Sequence, residues 1–446
     1  MKHSSKNCMA ILPYQQLFVW SDIEELGDLE RLRLVLDVLP DENLMQALEL
    51  KRGRSGVDKY PIRAVWNSIV AGIVFQHPTI ESLRRELKRN PLLRRICGFN
   101  LAFGIRSVPG ASCYSRFFKR LGEHSEELKD IFQSLVSICY QELDGFGETL
   151  AIDGKAISSY ARRSGNRPND RRGDHEAKWG KHVTRSETSA GTIAESVKTW
   201  FGFTLHLIVD TRYELPVEFT VLPASDNEMP VAHKLIDRIA DEHPERLKRC
   251  DYLCGDRGYD DGKLHRKLWD QHRIKPIIDI RRSWRDGEPT RAYDAVPGVV
   301  YNNKGEVYCV APYSNIQKKM AYRGFEKDRN SLKYSCPAHH YGISCPQQQF
   351  CTLPTQVRIP LEVDRRIFSP VARDSNKWPR IYNQRSAVER VNSRIDTMFS
   401  FENHTIRGQE KMSLRMTLAL IVMSSFAVGK VRSEQSPDLR RFLSAS

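Results

Sequence analysis

Thr149-Leu-Ala-Ile-Asp-Gly-Lys-Ala-Ile157 is a short apolar run with one carboxylate inside it, bounded by polar residues. Its length and composition predict a buried strand, so Asp153 sits where an unpaired charge costs several kcal/mol and something must compensate it. A metal ion is one candidate. The chain before this strand reads differently. From Asp22 to about Leu143 the apolar spacing is helical, with Leu26, Leu29, Leu32 and Leu36 in one stretch and Val65, Ile69, Val70, Ile73 and Val74 in another. Thr79-Ile-Glu-Ser82 opens a further helix that carries Leu83 and Leu87 beside the basic run Arg84, Arg85, Lys88 and Arg89. Pro109-Gly110 is a turn, after which Ser112 is expected to cap a helix holding Tyr114, Phe117, Phe118 and Leu121. Residues 1–145 thus read as an all-helical module.

Beyond the strand, Arg162 to Thr192 is polar with no countable period and reads as a long loop. Residues 198–209 and 215–222 alternate and are joined by Asp210-Thr-Arg-Tyr-Glu214, which predicts an antiparallel hairpin. A helix over 228–242, a strand at Tyr252-Leu-Cys-Gly-Asp256, a helix over 262–271 and a strand over 275–280 follow. Three strands, helix, strand, helix, strand is the order of a mixed α/β sheet. Residues 282–364 are turn-rich, with 301–310 as the best strand, and interrupt the layer as an insertion. Residues 365–431 return to helix and are expected to pack back on the sheet, and 432–446 form a tail. The divisions are therefore 1–145, 146–281, 282–364, 365–431 and 432–446.

The 446 residues carry 69 Lys and Arg against 55 Asp and Glu, a net charge of +14 that calls for a polyanionic partner. With hydrophobic residues at 40% and charged ones at 28%, whole-chain disorder is excluded. Leu418 to Val428 is broken by Ser424 and Ser425 and reads as a buried helix too short to cross a bilayer. The N-terminus lacks a signal-peptide pattern, so a cytoplasmic location is expected, with no membrane partner. Ten cysteines are too few for a disulfide scaffold.

Asp256 ends a strand and is followed by Arg257-Gly258-Tyr259, a sharp turn that leaves the carboxylate facing outward. Tyr382, Arg385 and Glu389 are spaced i, i+3, i+7 and are expected to share one helical face. Together with Ala151-Ile-Asp-Gly-Lys155, Trp179-Gly180, Trp200 to Asp210, Glu214-Leu-Pro216, Pro223-Ala-Ser-Asp226 and Cys254-Gly-Asp-Arg-Gly-Tyr259, in that order, the sequence resembles the DDE transposases of bacterial insertion sequences. The resemblance covers about 148–280 and 365–428, and the N-terminal region resembles the helical module those proteins carry. It implies an RNase H-like mixed-sheet core with an all-helical N-terminal domain and a strand-rich insertion. It also implies a catalytic triad of Asp153, Asp256 and Glu389 that holds Mg²⁺ or Mn²⁺, double-stranded DNA as element ends and target, and a homodimer in the DNA complex. One departure stands out: the family pattern often has a Lys seven residues after the Glu, where this chain has Asp396, leaving Arg390 or Arg394 to supply that charge. An RNase H-like nuclease without strand transfer, and a DNA-binding regulator with an inactive core, stay open as alternatives.

Hard oxygen ligands suit Mg²⁺ and leave positions for phosphate and water. Basic residues flank two of the three proposed ligands, among them Lys155, Arg385, Arg390 and Arg394, and with Tyr382 these are the expected DNA contacts of the core. In the N-terminal module Arg84, Arg85, Lys88 and Arg89 on one helix, and Arg116, Lys119 and Arg120 on another, are expected to meet the element ends. Cys336, His339, Cys345 and Cys351, with Cys309 as a further thiol, have two readings: a Zn²⁺ staple for a small insertion, or reduced structural cysteines.

Overall fold

The computed structural model describes residues 27–50, 60–161, 173–187, 193–281, 284, 286–310, 317–346 and 348–435. The basic residues between 162 and 172 and the tail from 436 lie outside them. The chain divides into two compact units, one of residues 1–144, 398–404 and 414–446, the other of residues 145–397 and 405–413.

The first unit is helical: α1 (Asp28–Leu36), α2 (Glu42–Leu50), α3 (Ile62–Val74), α4 (Ile80–Arg89), α5 (Pro91–Cys97), α6 (Ala111–Gly122) and α7 (Ser125–Glu142). Local chemistry sets its breaks. Thr79 caps α4 by accepting from the Ser82 amide, and Asn90 ends α4 and caps α5, which begins on Pro91 and stops at Gly98 with φ +94°. Gly110, rather than Ser112, occupies the cap of α6. The α3 helix is buried along most of its length, and the buried Asp41 accepts from Trp66 and Arg63 on it. This unit is completed by most of a 27-residue helix, Gln409–Gln435. From Leu414 onward that helix groups with the N-terminal helices. Its Gly429 permits the approach, since a Cβ there would lie 2.6 Å from the Leu34 carbonyl oxygen. Gln409–Ser433 is, by length and composition, long and apolar enough to cross a membrane, and 78% of its apolar window is buried inside the protein. Apolar residues all round are what a core helix needs.

The second unit holds β1 (Thr149–Ser158), β2 (Lys178–Glu187), β3 (Ile193–Asp210), β4 (Leu215–Pro223), α8 (Glu228–Glu242), α9 (Pro244–Arg249), β5 (Tyr252–Gly255), α10 (Gly262–Arg266) and β6 (Lys275–Ile278). β3 is antiparallel to β4 on one side and β1 on the other, and β1, β5 and β6 run parallel, so the core reads β4-β3-β1-β5-β6. This is the RNase H-like mixed sheet. The stretch read as a loop contains β2, which pairs with the first half of β3 from Lys178↔Gly202 to Glu187↔Ile193. At Gly202 β3 passes from one partner to the other, and a Cβ there would fall 2.1 Å from the Ile157 carbonyl oxygen.

The insertion is strand-rich as expected. A four-stranded antiparallel sheet holds β7 (Thr290–Ala292), β8 (Val299–Asn302), β9 (Val307–Val310) and β10 (Gln317–Lys319), and a three-stranded one holds β11 (Ala321–Glu326), β12 (Ser331–Ser335) and β13 (Gln356–Pro360). The single strand expected over 301–310 is a hairpin, β8 and β9, turning at Gly305 with φ +79°. Trp269, Tyr301, Val307, Tyr334 and Phe368 pack in one core that ties the insertion to the α/β layer. A short helix, α11 (Pro337–Tyr341), lies between β12 and β13, and α12 (Lys377–Tyr382), α13 (Ser386–Phe399) and α14 (Gln409–Gln435) close the described chain.

Candidate active site

Asp153 lies on β1 opposite Leu207 of β3. On the other side β1 pairs in parallel with β5, Ala151 against Cys254, so two residues further along each chain Asp153 and Asp256 emerge as neighbours. Asp256 caps the 3-10 turn Arg257–Tyr259, its Oδ1 accepting from the Gly258 amide at 2.7 Å. Burial pushes the Asp153 carboxyl up to about 7, helped by the charges of Asp256 and Glu228 and opposed by the Gly154 amide and Arg385. Tyr259 is completely buried and its hydroxyl has no hydrogen-bond partner among the described residues, while Glu228, Asp153 and Asp256 all act on it electrostatically. A buried O–H without an acceptor beside three acids is a group with an unmet requirement.

The Tyr382, Arg385 and Glu389 spacing is not one continuous helical face. Tyr382 ends α12, Arg385 closes a 3-10 turn over Asn383–Arg385, and Glu389 stands in the first turn of α13. The three still meet: the Arg385 guanidinium lies 5.7 Å from the Tyr382 ring centre and donates to Glu389 Oε1 at 2.7 Å. Glu389 is 54% exposed in this pairing. From α13 Asn392 reaches Asp153, its Nδ2 donating to Asp153 Oδ2 at 3.2 Å. Asn392 follows Glu389 by three positions, so the helix presents both on one side. Among the described residues no three His, Cys, Asp or Glu side chains are set to hold a metal ion.

Sequence reasoning missed Glu228, the first residue of α8. It is half-buried, and burial followed by the charge of Asp256 raises its carboxyl above the usual range while Arg281 opposes. Its signal in the sequence is indirect, in the two glycines that follow the aspartates.

Several expected DNA contacts have protein partners. Lys155 pairs with Asp396, the residue that departs from the family pattern, and Arg390 and Arg394 both pair with Glu214. On α4 and α6, Arg84 donates to the Pro109 carbonyl and Arg120 to the Leu48 carbonyl, whereas Arg85, Lys88, Arg89, Arg116 and Lys119 are at least partly exposed. In the insertion Cys309, Cys336 and Cys345 are half-buried and Cys351 is exposed, all as free thiols. Burial raises the Cys309 thiol, and Cys336, Cys345 and Cys351 add to it by charge. His339 is exposed on α11.

The family described as "Transposase DDE domain" matches residues 145–424, and the transposase domain DUF772 matches residues 20–120. The chain belongs to the DDE transposases. No curated protein matches it. A solved structure, the piggyBac transposase synaptic complex with hairpin DNA, is similar at 14% identity over 94% of this chain and 84% of that one, with a TM-score of 0.30. A likeness of that size does not fix the position of any residue.

Proposed function

We propose that this transposase binds the ends of an insertion sequence, cuts DNA with a divalent metal and joins 3′ ends to target DNA. The observation that carries the reading is the placing of Asp153 and Asp256 side by side on adjacent parallel strands. Asp153, Asp256 and Glu389 would hold Mg²⁺ or Mn²⁺, which supplies charge neutralisation for an attacking and a leaving oxygen. The residues fit that group: their oxygens are hard ligands, two of the three are already adjacent, and the buried Tyr259 hydroxyl lacks an acceptor. Asn392 orients Asp153, while Arg385 holds Glu389 and offers a cation to phosphate beside the site. Exposed basic residues on α4 and α6 supply the surface for the element ends, and a homodimer brings two ends together. Zn²⁺ held by Cys336, His339, Cys345 and Cys351, with Cys309 as a further thiol, would staple the insertion, which has a core of its own only in part. The location that fits these tasks is the bacterial cytoplasm.

The test is incubation of Asp153→Asn, Asp256→Asn and Glu389→Gln variants with DNA flanking the reading frame plus Mg²⁺, with mapping of the cut ends. Each should abolish cleavage and leave DNA binding largely intact. Full cutting by any one removes that residue from the triad, and cut ends that never join target DNA favour a nuclease.

A further inference from the structure

Two glycines stand beside the paired aspartates, Gly154 directly after Asp153 and Gly258 two residues after Asp256. Neither is in the left-handed region, so backbone conformation does not require them. Both face the carboxylate of Glu228. A Cβ on Gly154 would fall 2.9 Å from Glu228 Oε1, and one on Gly258 would fall 2.6 Å from Glu228 Oε2 and 2.7 Å from Asp256 Oδ1. Contacts under 3.0 Å are closer than Cβ atoms adopt, so the two missing side chains form a cradle with the carboxylate of Glu228 inside it. Glu228 Oε2 and Asp256 Oδ1 are therefore no further apart than those two distances from Gly258 laid end to end.

We propose that Glu228 is the third carboxylate of the cation site begun by Asp153 and Asp256, with Gly154 and Gly258 present to admit it. The assignment rests on the metal-dependent reading above and adds a ligand to it. Three acids converging at the end of a sheet do not by themselves make a site, but the Tyr259 side chain is an independent pointer. It is fully buried, its hydroxyl is unpartnered, and it lies within electrostatic reach of Glu228, Asp153 and Asp256 together. A hydroxyl there gains a partner when a hydrated cation is bound between the acids, its oxygen accepting from a cation-bound water. Glu389, by contrast, is held by Arg385, so in the DNA-free protein Glu228 is the acid that a cation would draw in beside the two aspartates. The competing role for Glu228 is as a structural counter-ion of Arg281, which acts on it by charge. Arg281 is however engaged with backbone, its Nη2 donating to the Gly258 carbonyl at 2.6 Å and its Nε to the Arg257 carbonyl.

The experiment is Mn²⁺ titration of the full-length, DNA-free protein, with free Mn²⁺ read by electron paramagnetic resonance. Glu228→Gln should weaken Mn²⁺ binding at least about ten-fold, as expected for the loss of one ligand charge. Gly154→Ala should weaken it in the same direction, because its new Cβ displaces Glu228 and leaves the charges and Asp256 in place. This second variant guards against a folding defect in the first, and Glu389→Gln should change the affinity by less than either. Glu228→Gln and Gly154→Ala that bind Mn²⁺ within about two-fold of the parent, while Asp256→Asn loses binding, would overturn the role of Glu228 and leave the aspartate site standing. Unchanged binding in Asp153→Asn and Asp256→Asn as well would overturn both.

Discussion

Replacing Asp153 by asparagine should make the metal-free protein more stable, even though it removes a proposed catalytic group. The carboxyl is raised from 3.8 to about 7 by burial and by the neighbouring acids, so ionisation disfavours the folded state. At about 1.4 kcal/mol per pH unit the gap corresponds to an upper bound of about 4 kcal/mol, and partial solvent access reduces the expected gain to about 2–4 kcal/mol. The sign follows from the direction: the penalty is absent below the unfolded value near 3.8, grows as pH rises, and is complete above about 7. The amide that replaces the carboxyl cannot ionise, and its carbonyl oxygen can still accept from Asn392. Urea unfolding in EDTA at pH 8 should therefore favour the Asp153→Asn variant by about 2–4 kcal/mol, and at pH 5 by roughly 1–2 kcal/mol. Adding Mg²⁺ should raise the stability of the parent and not of the variant, since a ligand stabilises the state that binds it. A variant no more stable than the parent at pH 8, or an advantage that does not shrink toward pH 5, would refute the idea that Asp153 is an acid held at a cost for a cation.

Two of the basic residues expected to read DNA in the helical unit should separate from the rest. Glu substitutions at Arg85, Lys88 and Arg116 should weaken binding to element ends by more than about ten-fold at ~150 mM salt without changing the melting temperature, measured by fluorescence anisotropy and calorimetry. Arg84→Ala and Arg120→Ala, which each strip a hydrogen bond from a backbone carbonyl, should instead cost about 1–2 kcal/mol in stability. Elemental analysis of purified protein should find one Zn²⁺ per chain, and chelation should loosen the insertion before the β1-β5-β6 core in hydrogen exchange. No bound zinc would assign the four cysteines to packing.

Most of the sheet is legible because its strands are apolar and its helices begin with recognisable caps: β1, β4, α8 and β5 fall within a residue or two of where alternation and turn chemistry put them. β2 is not legible. Lys178-Trp-Gly-Lys-His-Val-Thr-Arg-Ser-Glu187 has no apolar alternation to mark it, and its pairing with β3 makes it a strand. The Tyr-Arg-Glu spacing is visible, but its division between two helices and a 3-10 turn is not, because a turn that closes on Arg385 keeps roughly helical spacing. Glu228 was hidden for another reason. An acid in the first turn of a helix is commonplace on dipole grounds, and only the space left by Gly154 and Gly258 distinguishes it. Lys155 and Arg390 look like DNA contacts in sequence because their partners, Asp396 and Glu214, are remote along the chain.

The helical unit is discontinuous, since α14 from Leu414 onward belongs with helices that precede the sheet by the whole length of the second unit. On the ribosome, α1 to α7 emerge first and wait for their last partner until the catalytic unit and the insertion have both been synthesised. Arg432, which donates to Glu142 Oε1 at 2.8 Å, and Gly429, set against Leu34, are among the contacts made only then. A nascent chain or a prematurely terminated product thus carries the basic helices on an unfinished scaffold. On the proposed role of the basic helices in end binding, competence to engage DNA would be coupled to completion of the helical unit, and a truncated product that retains only the N-terminal region would make a poor competitor for the same ends.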